Sequence, residues 1–157
     1  MNLVREKIEQ AEASPDSARA HRSLALAYSA NEAWESASRS FQNALSLDPG
    51  DFEARYEMAL SLSKQGASEA SLEALLEVNR EHPDYLPARQ MLGVEYLKRD
   101  RLEEAKQHFQ FIEDQGLKKI YGVLGLGEVA LAEGSAEQAK EYFLQARKRD
   151  SSNLYLA

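Results

Sequence analysis

The chain has 157 residues, of which 43% are hydrophobic and 29% are charged, with four prolines and eight glycines. This composition is typical of a soluble, helix-rich protein and excludes a disordered one. Its 19 lysines and arginines against 26 aspartates and glutamates leave a formal charge of −7, which repels phosphate backbones and argues against nucleic acid as a partner. Because cysteine is absent, disulfides, thiolate metal sites and a cysteine nucleophile are excluded.

The segment 1–17 predicts one short helix. Apolar side chains share a single stripe of that helix at Leu3, Val4, Ile8 and Ala11. The helix should end near Pro15, because proline breaks a helix. We expect it to cap the exposed end of the hairpin that follows.

The N-terminal segment is too charged for a signal peptide, and no apolar run in the sequence is long enough to cross a bilayer. We therefore expect no membrane insertion. If Met1 is the natural start, the expected location is the cytoplasm; otherwise the sequence leaves the location unknown.

An internal repeat begins at Ala18 and continues at a constant interval, without insertion or deletion. Large and small residues recur at every 34th position in separate columns, namely Leu24, Met58, Leu92 and Leu126; Ala25, Ala59, Gly93 and Gly127; Tyr28, Leu62, Tyr96 and Ala130; Ala37, Ser71, Ala105 and Ala139; Phe41, Leu75, Phe109 and Phe143. Within each repeat, apolar residues three and four apart indicate two helices with a short break between them. The sequence thus predicts one domain of four helical hairpins, at 18–51, 52–85, 86–119 and 120–153, with 154–157 beginning a truncated or terminal segment.

Two features support the hairpins. Small residues in two of the columns let paired helices approach closely, so a bulky side chain at Gly93 or Ala105 should destabilise the fold by overpacking. The predicted helix boundaries also recur with the repeat, because a proline precedes each of three first helices, at Pro15, Pro49 and Pro83. Helix N-caps are predicted at Asp16 or Ser17, Asp51, Asp84 and Asn153 for first helices, and at Asn31, Asp100 and Ser135 for second helices.

Side chains that often take part in catalysis or metal binding do not form a recognisable site in this sequence. His21, His82 and His108 lie on different repeats without ligand spacing. The glycines of 122–127 match no nucleotide-binding fingerprint. Gly127 belongs to a small-residue column, which leaves Gly122 and Gly125 as extras that cost about 1 kcal/mol each relative to alanine. The fourth repeat is therefore expected either to be less stable than the others or to let the backbone of a ligand come close.

The columns resemble the tetratricopeptide repeat (TPR) family, whose pattern is matched best by Leu24-Ala25, Tyr28, Ala37, Phe41, Ala44 and Pro49. The resemblance covers residues 18–153. It implies an all-α fold, a right-handed α-α superhelical solenoid of four helix-turn-helix repeats plus the N-terminal helix, whose concave wall is made by the first helices. It also implies a protein-binding scaffold rather than an enzyme, with no cofactor.

The resemblance places a partner-binding groove on the first helices. Aligned concave positions are Arg22, Tyr56, Gln90, Leu124, Leu26, Leu60, Val94 and Glu128, to which Leu97, Leu131 and Tyr121 add an apolar strip. The expected partner is a peptide or helix of another protein with large apolar side chains. Arg19 and Arg22, at the N-terminal rim, are expected to meet an acidic residue of that partner.

Some family members grip acidic chaperone tails with lysine, asparagine and arginine on successive first helices. Positions matching that clamp hold Arg22, Leu26, Glu57, Pro87 and Met91 or, one repeat later, Tyr56, Leu60, Met91, Tyr121 and Gly125. A chaperone-tail receptor is therefore not expected.

Other interpretations stay open at this point. The curvature of the array or a missing C-terminal segment could fill the apolar strip. The chain could form a homodimer through its C-terminal end. It could also be an accessory module of a larger envelope-assembly or co-chaperone protein. Enzymatic activity has the least support, because no convergent polar groups can be found.

Overall fold

The computed structural model describes residues 3–116 and 120–154, with backbone alone for 151–154. Within these ranges the chain forms nine α-helices: α1 Leu3–Ala13, α2 Ala18–Ala30, α3 Trp34–Leu47, α4 Phe52–Lys64, α5 Ser68–Glu81, α6 Leu86–Lys98, α7 Leu102–Asp114, α8 Ile120–Ala132 and α9 Ala136–Leu154. The prediction of an all-α helical repeat fold is confirmed. Residues 117–119 of the third predicted hairpin and 155–157 of the terminal segment lie outside the described ranges.

The helices repeat with the period of the sequence. First helices begin at Ala18, Phe52, Leu86 and Ile120, and second helices begin at Trp34, Ser68, Leu102 and Ala136. The interval between consecutive starts is constant in both series and equals that of the side-chain columns. Each first helix is therefore followed by its second helix after the same three-residue turn. We refer below to α2, α4, α6 and α8 as first helices and to α3, α5, α7 and α9 as second helices.

The three-residue turns share one conformation. The middle residue of each turn has a positive φ, at Glu32 (58°), Gly66 (88°), Asp100 (57°) and Gly134 (78°). The third residue donates its backbone N–H to a carbonyl five residues earlier, as in Ala33 N to Tyr28 O at 3.0 Å. This Schellman-type ending satisfies carbonyls that the helix leaves unpaired and turns the chain back along the helix.

The N-cap predictions are partly right. The side chains of Ser17 and Asp51 accept hydrogen bonds from Ala20 N at 3.2 Å and Ala54 N at 2.9 Å, so these two caps are confirmed. Ser135 immediately precedes α9.

The remaining N-cap predictions are wrong. Tyr85, not Asp84, precedes α6, and Asn153 lies inside α9. Asn31 and Asp100 lie in the hairpin turns, and the residues before α3 and α7 are Ala33 and Arg101. For Asn31 and Asp100 the reason is that the Schellman turn, rather than a side-chain cap, determines where a second helix begins.

The chain divides into two compact units, unit one at Met1–His82 and unit two at Pro83–Ala157. The core of unit one is a cluster of fully buried residues from α2, α3 and α4: Ala25, Ala37, Phe41 and Ala54. Tyr28, Leu45 and Met58 pack against this cluster. Close helix contact thus follows from the small-residue columns, with the large aromatic ring filling the space between them. Helix α1 packs against α2 and buries Ala11, but Leu3 stays 52% exposed.

The core of unit two is built around Phe109 of α7, which is 1% exposed. A Cβ atom added at Gly93 of α6 would lie 2.6 Å from Phe109 Cζ, and one added at Gly125 of α8 would overlap the same ring more severely. At Gly122, an added Cβ would lie 2.9 Å from the backbone N of Glu113. The interpretation of Gly122 and Gly125 as extra residues is therefore wrong, because their missing side chains let α8 approach α7. The space beside them holds Phe109 and the α7 backbone rather than a ligand.

Unit two also buries one carboxylate that the repeat pattern does not predict to be inside. Glu95 of α6 is 0% exposed. Its Oε1 accepts from Lys98 Nζ at 2.8 Å, and its Oε2 accepts from Arg99 Nη1 at 2.6 Å. Lys98 is the last residue of the same helix and Arg99 is its C-cap, so both follow Glu95 at spacings that bring side chains together. The buried charge is therefore compensated by its own helix.

Candidate partner-binding surfaces

The residues predicted to bind a partner fall into two sets. The first-helix face of unit one comprises Arg19, Arg22, Leu26, Tyr56 and Leu60, on α2 and α4. The first-helix face of unit two comprises Gln90, Val94, Leu97, Tyr121, Leu124, Glu128 and Leu131, on α6 and α8.

In unit one, polar side-chain contacts link α2 to α4 and to the N-cap residue of α4. Arg22 donates through Nη1 to Asp51 Oδ2 at 2.9 Å and through Nη2 to Glu53 Oε2 at 2.8 Å. Two turns further along, the hydroxyls of Ser29 and Ser61 are 3.4 Å apart. These contacts fix the register of the two first helices, with α4 residues lying 31 or 32 positions after their α2 neighbours.

Arg22, which is predicted to meet an acidic residue of the partner, has two acidic neighbours in its own chain. Its guanidinium already pairs with Asp51, which caps α4, and with Glu53. The hydrogen bond to Glu53 is the largest influence that raises the pKa of Arg22, in spite of partial burial. Two carboxylates of the same chain thus compete with any acidic group of a partner. Arg19, by contrast, is exposed.

Apolar side chains on the unit-one face are partly covered. Leu26 is 43% exposed, whereas Tyr56 and Leu60 are half-buried. Glu57 of α4 is also half-buried, and sequence reasoning did not select it as a binding residue. The signal that could have found it is its position on α4, because Glu57 follows Glu53, which pairs with Arg22, by one helical turn.

The unit-two face is more apolar at its α8 side. Tyr121 is 49% exposed and Leu131 is 55% exposed. Leu124 and the three α6 residues, Gln90, Val94 and Leu97, are half-buried, and Glu128 is exposed. Helix α6 packs against α8, so both first helices of this unit contribute to one surface. Large exposed apolar side chains of this kind are typical of surfaces that bind other proteins.

The histidines have structural contacts. His21 Nε2 lies 2.9 Å from Pro15 O, the His82 ring stacks on Phe52 at 3.8 Å between centroids, and His108 stacks on Tyr96 at 5.6 Å. Burial, helped by the nearby positive charge of Arg89, lowers the pKa of His108 to about 4. His108 is therefore neutral at physiological pH and belongs to the packing between α6 and α7.

The described residues contain neither a metal-binding group of side chains nor a helix that could span a membrane. Among them, no group of three or more histidine, aspartate or glutamate side chains could hold a metal ion. None of the helices in those ranges combines the length and the apolar character that crossing a bilayer requires.

Comparison with known proteins gives structural relatives only. No family model matches the sequence. No curated protein matches it either.

Three solved structures resemble the chain in fold while being distant in sequence. MamA, as seen in a crystal structure, is 18% identical, with 97% of this chain and 89% of that chain covered and a TM-score of 0.88. Residues 41 to the end of MamA from Desulfovibrio magneticus RS-1 are 22% identical, with 95% and 84% covered and a TM-score of 0.87. YrrB, a TPR protein with an unusual peptide-binding site, is 18% identical, with 96% and 78% covered and a TM-score of 0.81.

Proposed function

Because the chain has the fold of tetratricopeptide-repeat proteins, we propose that it is a protein-interaction scaffold. It binds a peptide or helix of a partner protein in an apolar groove on the first helices of one unit, α2 and α4 or α6 and α8. The observation that carries this proposal is the exposure of large apolar residues there, with Leu26 at 43%, Tyr121 at 49% and Leu131 at 55%. The peptide-binding site of YrrB, a protein with a similar fold, supports the same kind of function.

The energetics suit a partner segment of modest affinity. Burying apolar surface contributes about 25 cal/mol of binding free energy per Å². The loss of conformational entropy when a flexible segment becomes ordered offsets part of this contribution. A segment with two or three large apolar side chains, spaced to meet exposed leucines and tyrosines, is thus sufficient for recognition. A helix or an extended strand can present such spacing.

Two neutral substitutions on the first helices test this proposal. Peptides selected from a random dodecapeptide display library against the full chain should bind the Leu26→Gln/Leu131→Gln variant at least about tenfold more weakly, because each change removes roughly one buried leucine contact. Isothermal titration measures the change.

Leucines of matched exposure on second helices provide the control. Leu47 at the end of α3 and Leu76 of α5 are 42% and 40% exposed. The Leu47→Gln/Leu76→Gln variant should keep the affinity of the unchanged chain within about twofold, because it lies outside the proposed surface. Equal loss in the two double variants would rule out the first helices as the binding surface.

A second candidate, self-association through the end formed by α8 and α9, has an observation in its favour. A cavity of about 380 Å³ opens there, lined by Leu131, Phe143 and Leu144 and flanked by Lys140 and Arg147. A second copy covering this cavity would bury those apolar side chains. Sedimentation of the full chain separates the candidates, since a monomer at high concentration removes self-association and leaves the scaffold proposal intact.

A further inference from the structure

The seam between α2 and α4 in unit one places an exposed leucine beside a carboxylate. Arg22 meets Glu53 at one end of the seam at 2.8 Å, and Ser29 meets Ser61 at the other end at 3.4 Å. Leu26 follows Arg22 by one helical turn, and Glu57 follows Glu53 by one turn. If this register is extended by one turn, we expect Leu26 and Glu57 to face each other across the seam.

The Glu57 carboxylate is half-buried. Among the described residues it accepts no hydrogen bond and forms no salt bridge, and the charge of Arg22 acts on it from a longer distance. Burial is the largest influence on Glu57 and raises the pKa of its carboxyl, while the nearby charge of Arg22 opposes this rise. Arg22 gives its own hydrogen bonds to Asp51 and Glu53. A half-buried carboxylate whose oxygens still reach solvent therefore lies on α4, where a donor from a bound segment can approach it.

Charge is distributed unevenly between the two units. Unit one contains 8 lysines and arginines against 14 aspartates and glutamates, a net charge of 8 − 14 = −6. Unit two contains 11 against 12, a net charge of 11 − 12 = −1. The field of unit one therefore attracts positively charged segments and repels acidic ones.

We infer that the α2–α4 seam binds a basic segment of the partner protein, with a lysine or arginine side chain paired to Glu57. The aliphatic stem of that side chain lies along Leu26 and its charged group reaches the carboxylate, because long basic side chains cover apolar surface in this way. Apolar residues of the same segment contact Tyr56 and Leu60. The inference rests on the proposed function and specifies the chemistry of the partner, with the opposite charge to the one that Arg19 and Arg22 suggest in the sequence.

Peptide selection with matched charge variants tests the inference. Dodecapeptides selected by display against the full chain should be enriched in lysine and arginine. Their affinity should fall about tenfold or more for Glu57→Gln, since a charge-assisted hydrogen bond contributes on the order of that factor. Glu73 of α5, which is exposed, provides the control, and Glu73→Gln should leave the affinity within about twofold.

Exchanging the charges of Glu57 and of the peptide residue that pairs with it provides a second test. Restored binding would show direct pairing, because a purely structural role of Glu57 would not produce it. Glu57→Lys should lose the selected basic peptide and bind the same peptide with its critical lysine replaced by glutamate. Circular dichroism should show an unchanged helix content for both Glu57 variants.

The possible results separate the two proposals. A library that yields no binder at all contradicts the scaffold function itself. Binders that lack basic residues, or that tolerate Glu57→Gln and Glu57→Lys equally, overturn the inference and leave the scaffold function standing.

Discussion

Replacing Gly125 by alanine should lower the free energy of unfolding by about 2 kcal/mol. In most helix interiors this substitution stabilises a protein by about 1 kcal/mol, because alanine has the higher helix propensity. Here the added methyl group would overlap the Phe109 ring. The Cζ end of that ring already lies so close to Gly93 that a Cβ added there would be 2.6 Å away, which restricts the movement of the ring. Overpacking of a rigid core by one methyl group costs up to about 3 kcal/mol, which exceeds the gain in propensity. Urea denaturation followed by circular dichroism measures the difference.

Two comparisons identify the overlap as the cause. Gly50 has only the side chain of Asp48, at 3.6 Å, near an added Cβ, so Gly50→Ala should change the stability by less than about 0.5 kcal/mol. In a Phe109→Leu background, the cost of Gly125→Ala should shrink by at least half, because the ring is no longer there to be displaced. A Gly125→Ala variant that is more stable than the unchanged chain would disprove the close contact between α7 and α8.

Replacing Glu95 by glutamine should lower the free energy of unfolding by about 3 kcal/mol. Removing one partner of a buried ion pair leaves the other charge uncompensated, and this typically costs about 3–5 kcal/mol. Lys98 has a side chain that is 56% exposed and can turn to water, whereas the Arg99 side chain is only 17% exposed. The loss of the Glu95 carboxylate beside the largely buried Arg99 side chain therefore accounts for most of the expected effect. Thermal or chemical unfolding of the full chain gives the value.

A glutamate on the surface serves as the reference for the same change of charge. Glu137 pairs with Lys140 at 3.9 Å, and its side chain is 92% exposed. Exposed ion pairs contribute little to stability, so Glu137→Gln should have an effect of less than about 0.5 kcal/mol. Similar stability losses for Glu95→Gln and Glu137→Gln would contradict the burial of Glu95.

The repeat architecture was predictable because its cause is a pattern along the chain. Helix starts at Ala18, Phe52, Leu86 and Ile120 agree with a period that the side chains themselves reveal. A large residue in one column packs against small residues on the neighbouring helices. Phe41, for example, lies in one buried cluster with Ala25 and Ala54. Such columns are visible in the sequence before any coordinate is known.

Features that depend on contacts between helices were not predictable in the same way. The local sequence indicates a weak point at Gly125, because the residue that Gly125 accommodates, Phe109, lies on another helix. It indicates a cap at Asp100, because a polar residue before a helix suits both a cap and a left-handed turn. The pairing of Arg22 with Glu53, and thus the place of Glu57, requires the register of two first helices. That register is a property of the packed unit and not of either helix alone.

Backbone amide shifts of the full chain, recorded by NMR while a selected peptide is added, test the binding surface most directly. The largest shifts are expected on α2, α4, α6 and α8, around residues such as Leu26, Glu57 and Leu131. Shifts concentrated on the second helices, or no shifts at saturating peptide, would contradict a partner-binding surface on the first helices.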